Sequence, residues 1–238
     1  MKIRIKFRKY GTMKFIGHLD IMRYFQKCMR RAEIDIAYSE GFSPHQIMSF
    51  AAPLGVGITS DGEYVDIEVH TTKSSSASIQ ALNEVMVEGV EVTSYRRLKD
   101  TDKKAMSLVS AADYRLMIKD GYEVPDADFE AGLEAFYVKP SEIPVTKTTK
   151  KGNHEKVIDL KQLVYEFRID REEGRPVFCM QVSAGSTDNV KPELVLEAFY
   201  NFLGLSYDPF SLQIHRVDVY AGEKGSFISL GEMGEEIG

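Results

Sequence analysis

The chain has 238 residues, 43% of them hydrophobic and 28% charged, with a formal net charge of −6 and two cysteines. That is a globular composition, long enough for one large domain or two modest ones. It excludes a helical membrane span, because no apolar run approaches the roughly 20 residues a bilayer requires.

The N-terminal decapeptide MKIRIKFRKY alternates charge and apolar residue and lacks the continuous apolar segment of a signal peptide, so a cytoplasmic protein is expected. Cys28 and Cys179 lie far apart and form no ligand spacing, which reads as two buried free thiols. Charge is uneven: residues 1–50 hold ten Lys or Arg against four acids, so a local positive surface can coexist with overall acidity.

In chain order, residues 2–8 alternate strictly, with Lys2, Arg4, Lys6 and Arg8 on one side and Ile3, Ile5 and Phe7 on the other, the pattern of a strand with one wet face. A helix is predicted over 18–33, where Leu19, Met22, Phe25, Met29 and Ala32 recur at helical spacing while Arg23, Lys27, Arg30 and Arg31 fall largely on another side. A short strand over 34–38 runs into the loop 39–45, dense in Gly, Pro, Ser and His, and a further strand is expected at 47–51. Residues 63–70 alternate again, a second amphipathic helix ends at Gly89, and 90–98 is a strand. The order strand, helix, strand, strand, helix, strand is that of a ferredoxin-like unit, an antiparallel sheet with helices on one face. It places the four strand cations on the open face.

The charged stretch 99–104 is the expected boundary, and the second half repeats the plan. Strands are predicted at 114–119, 165–170, 177–183 and 214–220, helices at 126–137 and 192–203, and a hairpin joins 144–149 to 157–160. The fold class is therefore α+β, two ferredoxin-like units at 1–100 and 108–221, with a Gly- and Glu-rich loose tail at 222–238.

The stretch GHLDIMRYFQKCMRRAEIDIAYSEGFSPHQIMSFAAPLGVG resembles the radical-SAM-linked protein family, a domain of unknown function fused to or encoded beside cobalamin-type radical SAM proteins. The matching residues are His18, Leu19, Asp20, Arg23, Arg30, Arg31, Tyr38, Ser39, Gly41, Phe42, Pro44 and His45, while Gly17 and Gln46 stand where the family has serine and proline. Weaker matches are Lys150, Lys151, Gly152, Asp159, His215 and Arg216. The resemblance implies a radical SAM partner and, through gene neighbourhoods that include ribosomal and ribonuclease genes, work on RNA. The chain is not itself that enzyme, because two distant cysteines cannot supply the three closely spaced thiolates of the cluster.

These observations lead to a non-catalytic accessory protein that binds tRNA or rRNA. Arg23, Lys27, Arg30 and Arg31 would hold phosphates, and Tyr38, Ser39, Phe42 and His45 would shape a pocket at the loop. Strand cations could add to the phosphate surface. Two alternatives stand beside this reading. One is a metal-independent RNA-cleaving or RNA-modifying enzyme using His18 and His45, with Asp20 near them. The other is a module that binds only the radical SAM protein. No cofactor, metal or membrane partner is expected; the spacing of His18, Asp20 and His45 matches no established ligand motif.

Overall fold

The computed structural model describes residues 1–148, 155–186 and 188–238. The chain is α+β, with mostly antiparallel strands and several helices. It divides into two compact units, one made of Met1–Ala111 and His215–Gly238, the other of Ala112–Ile214. These limits differ from the expected 1–100 and 108–221, because the chain returns to the first unit at its end.

The first unit contains β1 (Lys2–Lys9), α1 (His18–Arg31), β2 (Met48–Phe50), β3 (Thr59–Glu68), α2 (Ser75–Val85) and β4 (Val90–Leu98). β1 lies between β4 and β3, and β2 pairs with β3, all antiparallel. The period-two pattern has the expected consequence on one face. Ile3, Ile5 and Phe7 pack under the helices with Ile21, Phe25, Met29, Val65, Ile67 and Leu82. Phe7, Phe25 and Phe50 form an aromatic knot, with ring centroids 4.6 Å apart for Phe7–Phe25 and 5.5 Å for Phe25–Phe50. Gly89 turns the chain at φ +97°, where a Cβ would lie 2.7 Å from Met13 Cγ and 2.8 Å from the Tyr10 carbonyl oxygen, so no other residue fits without displacement.

The other face of this sheet is covered, which corrects the expected open surface of strand cations. Arg4 is 2% exposed and binds both oxygens of Asp66, at 2.8 and 3.0 Å. Lys6 pairs with Asp218, Arg8 with Asp61 and Glu91, and the Lys2 ammonium donates to the carbonyls of Asp100 and Asp102. Burying a cation is costly unless it is paired and hydrogen-bonded, as Arg4 is, whereas the Lys6 and Arg8 side chains stay partly exposed.

A short helix α3 (Ala105–Leu108) contributes the Ala105 N–H to Asp66. Part of the C-terminal segment also lies on this face, near Lys6 and Tyr64, and its end at Ile237 packs against the helix-side core instead of being loose. Leu230 is fully buried, Arg96 donates to the Gly234 carbonyl, and the Ser75 N–H donates to the Ile237 carbonyl. The predicted strand at 34–38 is reduced to two isolated bridges, Ile36 with Val69 and Tyr38 with Gln46.

The second unit takes most of β5 (Val109–Ile118), followed by α4 (Phe129–Leu133), which continues as a π-helical turn over Glu134–Val138. Next come the hairpin β6 (Pro144–Thr148) and β7 (Glu155–Asp159), then α5 (Leu160–Leu163), β8 (Val164–Glu172), β9 (Arg175–Ser183) and α6 (Pro192–Phe202). β5, β9 and β8 are neighbours in that order. The β8–β9 turn carries Glu173 and Gly174 at φ 49° and 80°, the two positive angles a tight hairpin needs. Phe129, Phe136, Phe178 and Phe199 gather into the core, with Phe136–Phe199 and Phe129–Phe178 centroids both 5.3 Å apart. The hairpin-tip residues Lys150, Lys151, Gly152 and His154 lie outside the described residues. β10 (Leu212–Ala221) begins in this unit and ends in the first, where His215 and Arg216 run parallel to Thr59 and Ser60.

Candidate functional site

The helix α1 presents the predicted cations. Ile21, Phe25, Cys28 and Met29 bury one stripe, and Arg23, Lys27, Arg30 and Arg31 are exposed. Arg23 spends its charge on Asp20, one helical turn away at 3.3 Å. Arg31 donates to Cys28 Sγ at 3.3 Å. Lys27 and Arg30 have no ionic partner among the described residues. Gly17 caps the helix with no side-chain bond, so Asp20 serves as a first-turn acid rather than as the cap.

The loop 39–45 is tied to this helix. The Gln46 amide donates to the Gln26 carbonyl at 3.2 Å and to the Tyr38 hydroxyl at 3.4 Å. Gln46, which stands where the resembled family has proline, thus fastens the loop beside Lys27. Gly41 at φ +106° turns the chain, and the Phe42 ring that follows is fully exposed. Tyr38 is half-exposed.

The base of the loop is closed by Ser39 and His45. The Ser39 N–H donates to the His45 carbonyl at 2.8 Å, the His45 N–H donates to Ser39 Oγ at 3.1 Å, and Ser39 Oγ lies 2.8 Å from His45 Nδ1. Both residues line a cavity of about 280 Å³ with Ile47, Met48, Ser49 and Leu98, and lysines 2, 103 and 104 also border it.

His18 is not among those lining residues. Its ring stands edge-on to Phe50 at 5.5 Å. Burial lowers its pKa below the ordinary 6.5; Glu63 opposes the shift and Lys9 adds to it. The folded state therefore favours neutral His18, and its contribution to stability is complete above pH 6.5 and is lost as pH falls through the folded value. An NMR titration should place the His18 midpoint below 6.5, and a midpoint above it would contradict the described packing.

Sequence reasoning missed the polar cluster beneath these loops. Arg216 reaches both oxygens of Glu63 at 2.6 Å, with side chains 5% and 6% exposed, and also donates to the Ala52 carbonyl. Lys9, 2% exposed, donates to the Ile16 carbonyl at 2.7 Å, and burial lowers its pKa. The cluster thus links β1 and β3 to the turns before α1 and before β3. Next to it, His215 lies 2.9 Å from Thr59 Oγ1 and 3.2 Å from Asp61 Oδ2. The only signal for it was the weak match at His215 and Arg216. Among the described residues, no three of His, Cys, Asp and Glu come together as a metal site.

The sequence profile of DUF2344, described as an uncharacterized protein conserved in bacteria, matches residues 2–192. The chain belongs to this family. The DUF2344 match spans the α1 and loop region and most of the second unit. No curated protein matches the chain.

Among solved structures, this DUF2344 chain is similar to a chain of a Cbf5-Nop10-Gar1 complex, at 14% identity and a TM-score of 0.49, covering 91% of this chain and 48% of that one. It is similar also to a chain of an H/ACA RNP bound to a substrate RNA containing 2'-deoxyuridine, at 13% identity and a TM-score of 0.47, covering 90% and 46%. A third is an archaeal box H/ACA sRNP Nop10-Cbf5 complex, at 14% and 0.44, covering 90% and 46%. The chain spans about half the length of these structures. A likeness this distant transfers no activity. No helix among the described residues is long and apolar enough to cross a membrane.

Proposed function

We propose that this DUF2344 protein is a cytoplasmic, non-catalytic accessory protein that binds a single-stranded segment of tRNA or rRNA on α1 and the 39–45 loop and presents it to a radical SAM enzyme. The observation that carries the RNA reading is the fully exposed Phe42 on a loop fastened to α1 beside two cations, Lys27 and Arg30, that have no ionic partner among the described residues. Exposed cations bind phosphate, and an exposed aromatic ring stacks on an unpaired base whatever its identity. Arg4, Lys6 and Arg8 take no part, since each is already paired with a carboxylate. The enzyme partner rests on the resemblance of residues 15–57. The ferredoxin-like reading of the first unit is supported by its strand order, with β1 between β4 and β3 and β2 outside β3.

Fluorescence anisotropy of a labelled unstructured oligoribonucleotide tests the phosphate-binding role of the helix. Replacing Lys27 and Arg30 together by Ala should flatten the dependence of log K on log salt by about 1.4, near 0.7 for each single-strand phosphate no longer neutralised. An unchanged slope and affinity would overturn the assignment.

The reading as an interaction module has its own support. Phe15, Leu19 and Val56 are all more than 60% exposed, and the Gly57 N–H donates to the Lys14 carbonyl, which brings the two loops side by side. Such an apolar patch suits the protein partner and, reaching α1 only at Leu19 in its first turn, leaves the Lys27 and Arg30 end of the helix free for RNA. The RNA-cleaving reading gains no such support. His45 Nδ1 is engaged by Ser39, while His18 sits against Phe50 outside the cavity His45 borders.

A further inference from the structure

We infer that the cavity bordered by Ser39, His45, Met48 and Leu98 is a pocket for one unstacked nucleotide of the bound RNA, an inference that rests on the proposed RNA-binding role. The cavity lies at the base of the same loop whose tip carries Phe42, so a strand stacked on Phe42 has a pocket within one loop's length. Its volume of about 280 Å³ is near the lower end of small-ligand pockets, which suits one nucleotide rather than a larger cofactor.

The lining separates into two chemistries. Ile47, Met48 and Leu98 supply apolar surface for the faces of a base. Lys103 and Lys104 are exposed and have no ionic partner among the described residues, so they are available to a phosphate. Of the three carboxylates that border the cavity, Asp66 is charge-paired, Asp102 takes one backbone N–H, and Glu68 has no ionic partner among the described residues. Asp66 is held by Arg4 and the Ala105 N–H, and Asp102 accepts from the Lys99 N–H at 2.9 Å. His45 adds a directed polar edge. Its Nδ1 lies 2.8 Å from Ser39 Oγ and 3.4 Å from the Ser43 carbonyl oxygen, which leaves Nε2 as the ring nitrogen outside those contacts. Ser49 and Glu68 offer acceptors beside it, and together these groups can pair with the hydrogen-bonding edge of a base.

Amide NMR titrations of the full chain with each of the four ribonucleoside 5'-monophosphates, and with inorganic phosphate alone, test this. At least one monophosphate should shift the amides of Ser39, His45 and Met48 at millimolar concentration or below, at least tenfold more tightly than phosphate. Replacing the exposed pair by Lys103→Ala with Lys104→Ala should weaken that binding fivefold or more. Lys27→Ala with Arg30→Ala should leave it unchanged.

The inference is overturned if no monophosphate shifts these amides, if phosphate alone binds as well, or if the shifts map elsewhere. It is distinguishable from the RNA reading. Loss of oligoribonucleotide binding in the Lys27 and Arg30 variant, with no monophosphate in the cavity, removes the pocket and keeps the α1 surface. Monophosphate binding with no oligoribonucleotide binding to the unaltered chain does the reverse, leaving a free-nucleotide site.

Discussion

Glu63→Ala is expected to lower the free energy of unfolding by about 3–5 kcal/mol, because it leaves the buried Arg216 guanidinium without its carboxylate. The effect reaches beyond that one ion pair. Arg216 would keep its hydrogen bond to the Ala52 carbonyl, and Lys9, already pushed downward by burial, would lose the nearby negative charge that opposes that shift. Replacing both partners, Glu63→Met with Arg216→Met, should recover much of the loss, since two apolar side chains of similar volume carry no desolvation penalty. Urea unfolding monitored by circular dichroism measures all three proteins. A loss below about 1 kcal/mol for Glu63→Ala, the range of exposed pairs, would show that the cluster is solvated rather than buried.

Phe42→Ala should leave stability within about 0.5 kcal/mol, because the ring is fully exposed and packs against nothing that folding needs. The same change should weaken single-stranded RNA binding by about 1–3 kcal/mol, the worth of one stacked base, or roughly 5- to 150-fold. Phe42→Trp should retain affinity, since any aromatic face can stack. Equal affinity for Phe42→Ala and the unaltered chain would remove the aromatic half of the proposed surface, whereas equal losses in stability and affinity would mark Phe42 as structural.

The parts of this architecture that were legible in the sequence are those set by local periodicity. The alternation of Ile3, Ile5 and Phe7 and the helical recurrence of Phe25 and Met29 each identified a face that does pack inward. Periodicity says which side of a strand meets the helices, but nothing about what covers the other. Arg4 and Lys6 read equally well as solvated or as buried and paired. The decision lies with Asp66 and Asp218, which are 62 and 212 residues away.

The C-terminal segment misled for a related reason. Its Gly and Glu content describes weak local propensity, while its attachment comes from backbone hydrogen bonds to Ser75 and Arg97 that composition does not record. The strand expected at 34–38 has β-branched and aromatic residues, yet its pairing amounts to isolated bridges at Ile36 and Tyr38, held by backbone hydrogen bonds of Asp35 and Ala37.

Within the candidate site, the sequence drew attention to a loop dense in Ser, Gly, Pro and His. Ser39 and His45 do meet, and Phe42 is exposed. The lysines 103 and 104 that border the cavity were read as part of an interdomain boundary, because a charged turn gives no hint of the surface it folds against.

The central claim, that α1 and the 39–45 loop carry RNA, is tested most directly by ultraviolet crosslinking of the protein to RNA in its own cells, followed by identification of the crosslinked peptides. Crosslinks are expected on the peptide containing Tyr38 and Phe42, diminished at high salt and by the Lys27 and Arg30 substitutions. Crosslinks confined to residues 112–214, or no crosslinks above the unirradiated background, would contradict it.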